Sequence, residues 1–323
     1  NDAQAREQIR AVGSSTVYPF VTTVAEQFGQ AGKFKTPIVE STGTGGGLKL
    51  FCEGIGEDKP DLANASRKVM QSELDLCKQH GITDVVEIAI GYDGIVLASK
   101  KGNAPLSLTK KQIFMALARD LPGADGKLAK NRFQKWKDID PALPDSPIEV
   151  YGPPPTSGTR DAFVELVMEK ACEQFPAFAA AYPDEKVRKK NCHLIREDGK
   201  YVDSGEDDNI IVQKLASNEK AIGILGYSFL EENSAKIQAA SVEGVMPGFD
   251  TIETGKYSVS RSMYVYVKKQ HIGVIPGIAE FIQELTSEHA IGPDGYVVAR
   301  GLLPLPDADR KASQVKAKAL AVK

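Results

Sequence analysis

Four short segments of this 323-residue chain carry residue types able to do chemistry together: Gly13–Thr16, Ser41–Gly47, Ala65–Arg67 and Thr156–Arg160. Each is built from glycine and small hydroxyl residues. Each follows an apolar, strand-like run and precedes a helical pattern. A loop in that position offers unpaired amide N–H groups at a helix N-terminus, where the helix dipole is positive, and adds hydroxyl donors. Glycine lets the backbone approach closely and take positive φ. One such loop is an ordinary helix cap. Four of one kind, two of them carrying an arginine (Arg67 and Arg160), point to a small anion enclosed by donors.

Other chemistries fit less well. Ser41–Lys49 holds no G-x-x-x-x-G-K-[ST], and a G-x-G-x-x-G starting at Gly43 fails at Leu48, so the glycines do not read as a nucleotide site. Ser157 lies between Pro155 and Thr159, outside a G-x-S-x-G elbow. Ser107–Lys110 matches S-x-x-K, but its nearest K-T-G counterpart is Glu253-Thr254-Gly255. His80, His193, His271 and His289 form no H-x-H or H-x-x-x-H pair, so no metal and no cofactor is expected. No nucleophile–base pair is evident, and a binding protein rather than an enzyme is expected.

Strand-like runs alternating with amphipathic stretches would position these loops, giving an α/β class with mostly parallel sheets. Strands are expected at Ile9–Val12, Pro37–Glu40, Asp61–Ala65, Ile148–Tyr151, Ala221–Gly226 and Tyr257–Val267. Val85–Ala98 reads as an apolar segment interrupted by a turn at Gly91-Tyr92-Asp93-Gly94. Ser72 and Ser107 read as helix caps. In an open α/β sheet, loops at the carboxyl ends of strands share one edge, where ligands bind. The length suggests two domains.

Composition narrows the class. The 40 basic and 43 acidic residues give a net charge of −3, which argues against a nucleic-acid binder. No apolar run approaches a bilayer span. Asn1–Arg10 is polar and of mixed charge and does not read as a signal peptide, so if the protein is exported this is expected to be its mature form. Four cysteines without a C-x-x-C pair fit two local disulfides, Cys52–Cys77 and Cys172–Cys192, with buried thiols as the alternative.

The ordered set of loops resembles the phosphate-binding proteins of bacterial high-affinity phosphate ABC transporters. The likeness is carried by Gly13-Ser14-Ser15-Thr16-Val17-Tyr18-Pro19, Gly43–Gly47, Ala65-Ser66-Arg67-Lys68 and Ser157-Gly158-Thr159-Arg160, then by Ala221–Tyr227 and the Ser260-Arg261…Tyr264–Val267 stretch. It spans nearly the whole chain. The resemblance implies a two-lobed periplasmic-binding-protein-like II fold, with two hinge strands near 91–99 and 257–267. Lobe one would be 1–91 plus 261–323, and lobe two 92–260. It implies a monomer that captures inorganic phosphate by hinge closure and delivers it to a membrane permease. Carried over residue by residue, the ligand set would be Ser15, Thr16 and the Val17 amide, Thr44 and Gly45, Ser66 and Arg67, and Ser157, Gly158 and Thr159. Arg160 is a second cation candidate. The best-known branch has an aspartate where Arg67 stands and an arginine near Pro153; here Arg67 would supply the cation and Asp93 the carboxylate.

That carboxylate would select the anion. Phosphate at neutral pH keeps a proton and sulfate does not. A buried acceptor left unsatisfied costs about 1–3 kcal/mol, more when charged, which is enough for tenfold or greater discrimination. Sulfate, molybdate or tungstate binding and phosphatase chemistry on the same loops are the competing readings.

Overall fold

The computed structural model describes residues 6–205 and 207–321; residues 1–5 of the polar opening stretch, Glu206 and the last two residues lie outside the described residues. The chain divides into two compact units, 1–93 with 261–323, and 94–260. It passes from one to the other at Asp93-Gly94 and back at Ser260-Arg261.

In the first unit, the strands Ile38–Ser41, Arg10–Gly13 and Leu62–Ala65 lie side by side and parallel, and Ser260–Lys268 pairs antiparallel with Leu62–Ala65. Side chains of successive strand residues alternate between faces, and the two cores follow that alternation. Ala11, Leu62 and Val265 join Val21, Val24 and Phe28 of the Tyr18–Gln30 helix and Phe281, Ile282 and Leu285 of the Ile278–Thr286 helix. Ala63, Ala65, Tyr264 and Tyr266 join Leu48, Phe51 and the Cys52–Cys77 disulfide on the other face.

In the second unit, Tyr201–Asp203, Val150–Gly152 and Ile222–Gly226 are parallel neighbours. The end of the Val85–Lys100 strand adds antiparallel to Ile222–Gly226, and Ile237–Ala239 pairs with it in turn. Cys172–Cys192 ties the charged helical excursion to the Glu169–Cys172 helix, so both disulfides join the expected partners. The sheets are mixed, since parallel cores are closed by antiparallel strands.

Three local expectations are corrected. Gly91–Gly94 is no turn: it lies inside the continuous Val85–Lys100 strand. Its glycines answer packing, because a Cβ on Gly91 would stand 2.6 Å from Leu302 Cδ1 and one on Gly94 2.7 Å from Ile252 Cδ1. Ser72 does not cap its helix; the Glu73 carboxylate accepts from the Met70 amide at 2.9 Å. Ser107 lies in a two-residue strand, and Thr109 and Gln112 form the capping box of the Lys110–Leu117 helix.

Candidate anion-binding site

In the first unit, three strand-end loops pack onto one another. The Ser14 amide donates to Asn64 O at 2.9 Å and the Thr42 amide to Gly13 O at 2.9 Å, so the loops after all three parallel strands are tied at their roots. Glycine is required at this junction. Gly13 has φ +138°, and a Cβ on it would overlap Asn64 O; a Cβ on Gly47 would overlap the Gly13 backbone. The Thr44–Phe51 helix is thereby seated directly on the first strand. Gly43, with φ +78°, turns the chain into it.

The hydroxyls meet above this junction. Thr44 Oγ1 and Ser66 Oγ are 3.1 Å apart, and the Ser66 amide donates to Thr44 Oγ1 at 3.1 Å. Ser66 is buried and Thr44 begins its helix. Ser14 Oγ accepts from the amides of Thr16 and Val17 at 3.1 and 3.2 Å, which shapes the first loop and engages the Val17 amide locally. Thr16 is buried.

The arginines near these hydroxyls have side-chain partners of their own. Arg67 donates to both oxygens of Glu73, at 2.8 and 3.0 Å, and to Lys68 O at 3.1 Å. Burial would raise the Glu73 carboxyl, but hydrogen bonds from Arg67 and the Met70 amide hold it below its ordinary value. A second arginine, not singled out from sequence, reaches the hydroxyl pair: Arg261 Nη1 donates to Ser66 Oγ at 2.7 Å. Asp93 is half-buried in the Val85–Lys100 strand, next to Tyr92, which exchanges two backbone hydrogen bonds with Leu303.

In the second unit, the loops following Val150–Gly152, Tyr201–Asp203 and Ile222–Gly226 leave from one sheet edge, as the parallel register requires. Ser157 caps the Gly158–Phe163 helix, its Oγ accepting from the Thr159 amide at 3.1 Å. Arg160 does not face solvent. Its guanidinium lies over the Tyr201 ring at 5.0 Å and donates to Pro153 O at 3.2 Å and Asp203 Oδ1 at 3.4 Å.

Sequence reasoning also missed Asp208 at this edge. It is buried at the start of the Asp208–Ser217 helix and accepts from the Gly226 amide at 3.2 Å. Burial pushes its carboxyl up to about 6, with Asp207 adding repulsion. The native state therefore holds a proton that the unfolded state has lost between about pH 4 and pH 6, and stability falls as pH rises through that window. Asp208→Asn keeps an acceptor for Gly226 but carries no charge. It is expected to stabilise the protein by about 2–3 kcal/mol at pH 8 and to change nothing at pH 4, read from urea melts at the two pH values.

The histidines are engaged elsewhere. His271 pairs with Asp61, His193 with Glu169, and His80 with Cys52 O, while His289 packs edge-on against Tyr296. Among the described residues, no group of His, Cys, Asp or Glu could hold a metal ion. Among the described residues, no helix is long and apolar enough to cross a membrane.

Two α/β units with glycine- and hydroxyl-rich loops at their strand ends are the build of a periplasmic-binding-type protein. The chain belongs to the PBP superfamily, whose domain model matches residues 1–289. It is similar to Protein SphX of Synechococcus elongatus, with 30% identity over 271 residues covering 82% of this chain and 69% of that protein. It is 28% identical to the phosphate-binding protein PstS of Staphylococcus saprophyticus, over 96% of this chain and 84% of that one. Among solved structures, it resembles a possible phosphate-binding protein from Planctomyces limnophilus, with a TM-score of 0.78 and 27% identity over 99% of this chain and all of the other.

Proposed function

We propose that this chain is an extracytoplasmic receptor that binds inorganic phosphate and delivers it to an ABC-type permease, without chemical turnover. The observation that carries the reading is the interlocked set of three strand-end loops in the first unit, crowned by Thr44, Ser66 and an arginine. Neutral amides and hydroxyls provide most of the donors, and this is how a protein of net charge −3 holds a divalent anion. The relatives named phosphate-binding proteins support the same ligand.

The proposed ligand set in the first unit is Ser15, Thr16, Val17, Thr44, Gly45 and Ser66. Ser157, Gly158 and Thr159, with Arg160 beside them, act from the second. Asp93, the residue at the junction between the units, accepts the proton of hydrogen phosphate. The units close on the anion as rigid bodies about the two chain passages, and binding stabilises the closed state by contacts made only there. Small-angle scattering on ligand-stripped protein tests closure: the radius of gyration is expected to fall on adding phosphate, and an unchanged radius sinks the closure reading. Asp93→Asn is expected to bring phosphate and sulfate affinities within about threefold of each other by removing the charged acceptor that disfavours sulfate. Retained selectivity in competition dialysis removes Asp93 from that role.

A further inference from the structure

We infer that Arg261, on the Ser260–Lys268 strand, is the cation that serves the anion, and that Arg67 is a scaffold arginine. The inference rests on the phosphate reading and assigns its charge. Three of the five N–H donors of Arg67 go to local acceptors: a bidentate pair with the Glu73 carboxylate and one bond to the Lys68 carbonyl. Bidentate pairing of this kind fixes a guanidinium in place and neutralises it. Arg160 is likewise fixed by Pro153 O, Asp203 and the Tyr201 ring.

Arg261 is placed on the hydroxyl cluster itself. Its Nη1 donates to Ser66 Oγ at 2.7 Å, and Ser66 Oγ lies 3.1 Å from Thr44 Oγ1, which also accepts the Ser66 amide. Hydrogen-bond bookkeeping then sets the direction of the cluster. A guanidinium only donates, so Ser66 Oγ must accept from it, and the Ser66 proton points onward. If that proton goes to Thr44 Oγ1, the Thr44 proton is directed outward; if not, the Ser66 proton is. Either way the cluster presents a hydroxyl donor polarised by a charge one or two hydrogen bonds back, the polarity an anion requires. Arg261 comes from the carboxyl-terminal part of the chain, 195 residues from Ser66, on the strand that pairs antiparallel with Leu62–Ala65.

The test is phosphate calorimetry on ligand-stripped wild type and the variants Arg261→Ala, Arg261→Lys, Arg67→Ala and Ser66→Ala. Arg261→Ala is expected to weaken phosphate by about 10- to 100-fold, the range for losing a charge-assisted hydrogen bond, and Arg261→Lys to recover part of that loss. Arg67→Ala is expected to stay within about threefold, because the Glu73 pair it breaks is partly exposed. Arg261→Ala should also flatten the salt dependence of binding, which a purely structural role would leave unchanged. Should Arg261→Ala fail to fold, Arg261→Lys and Ser66→Ala decide: unchanged affinity in both overturns the assignment. So does a large loss in Arg67→Ala alongside near-wild-type binding by Arg261→Ala. A wild type that binds no phosphate defeats the functional reading instead, and that outcome is distinct.

Discussion

Gly47→Ala is expected to weaken phosphate binding by about 10- to 100-fold while the protein stays folded, whereas Gly46→Ala, one residue away, leaves binding intact. The two glycines share the Thr44–Phe51 helix and differ in what a methyl would meet. At Gly47 it would run into the Gly13 backbone, which is held in the sheet and cannot yield. The helix must lift off the strand, taking Thr44 Oγ1 away from Ser66. Overpacking of this kind costs about 1–3 kcal/mol, and each donor lost to the anion costs a similar amount. At Gly46 the nearest heavy atom would be Thr42 Cβ at 3.7 Å, an ordinary contact. The exchange of glycine for alanine there stabilises the helix by up to about 1 kcal/mol. Calorimetry with phosphate and a circular-dichroism melt on both variants check the pair. Equal binding by the two would show that the close helix–strand approach does not position the site.

The second large effect is on stability and leaves binding alone. Asp61→Ala is expected to cost about 3–5 kcal/mol at pH 7, because it removes the carboxylate at the centre of a buried charge network. Asp61 lies fully buried at the amino end of the Leu62–Ala65 strand, at the far end of that strand from Ser66. Arg6 grips it with two bonds of 2.7 and 3.1 Å, the Arg10 amide donates at 2.8 Å, and His271 Nδ1 lies 2.6 Å away. His271 Nε2 accepts from the Gly56 amide at 3.1 Å, so Nδ1 carries the imidazole proton and donates it to Asp61. Burial alone would raise the Asp61 carboxyl, but the bonds from His271, Arg6 and the Arg10 amide hold it below its ordinary value. A depressed carboxyl contributes stability above its unfolded pKa of about 3.9 and loses it as pH falls through the folded value. The wild type should therefore lose stability steeply below about pH 4, and Asp61→Ala should show a flatter acid limb. Phosphate affinity at 25 °C should stay within about threefold of wild type wherever the variant is folded. A cost below about 1 kcal/mol in urea melts at pH 7 would show that the network is not holding this end of the sheet.

The loops were legible because their signal is local. A run such as Val12-Gly13-Ser14-Ser15 changes from apolar to small and polar within a few residues, and that change fixes both the strand end and the donors. The disulfides were legible for the same reason, each joining cysteines 25 or 20 residues apart. What stayed hidden depends on contacts distant in sequence. Gly91 and Gly94 look like turn residues until Leu302 and Ile252 are seen packed on them. Arg261 sits in an alternating strand pattern, and only its bond to Ser66 marks it as part of the donor cluster. Asp208 lies in an acidic run with no local signal of burial, and its buried place beside the Gly226 amide, 18 residues on, shows only in the fold. Arg67 stands out in its loop from the sequence, but its pairing with Glu73, six residues on, does not.

Titration calorimetry of ligand-stripped wild-type protein with phosphate and with sulfate, at about pH 8, bears most directly on the account. Donors converging with one carboxylate acceptor predict saturable, one-to-one phosphate binding at least about tenfold tighter than sulfate. Equal affinity for the two anions, or no binding of either, would contradict it.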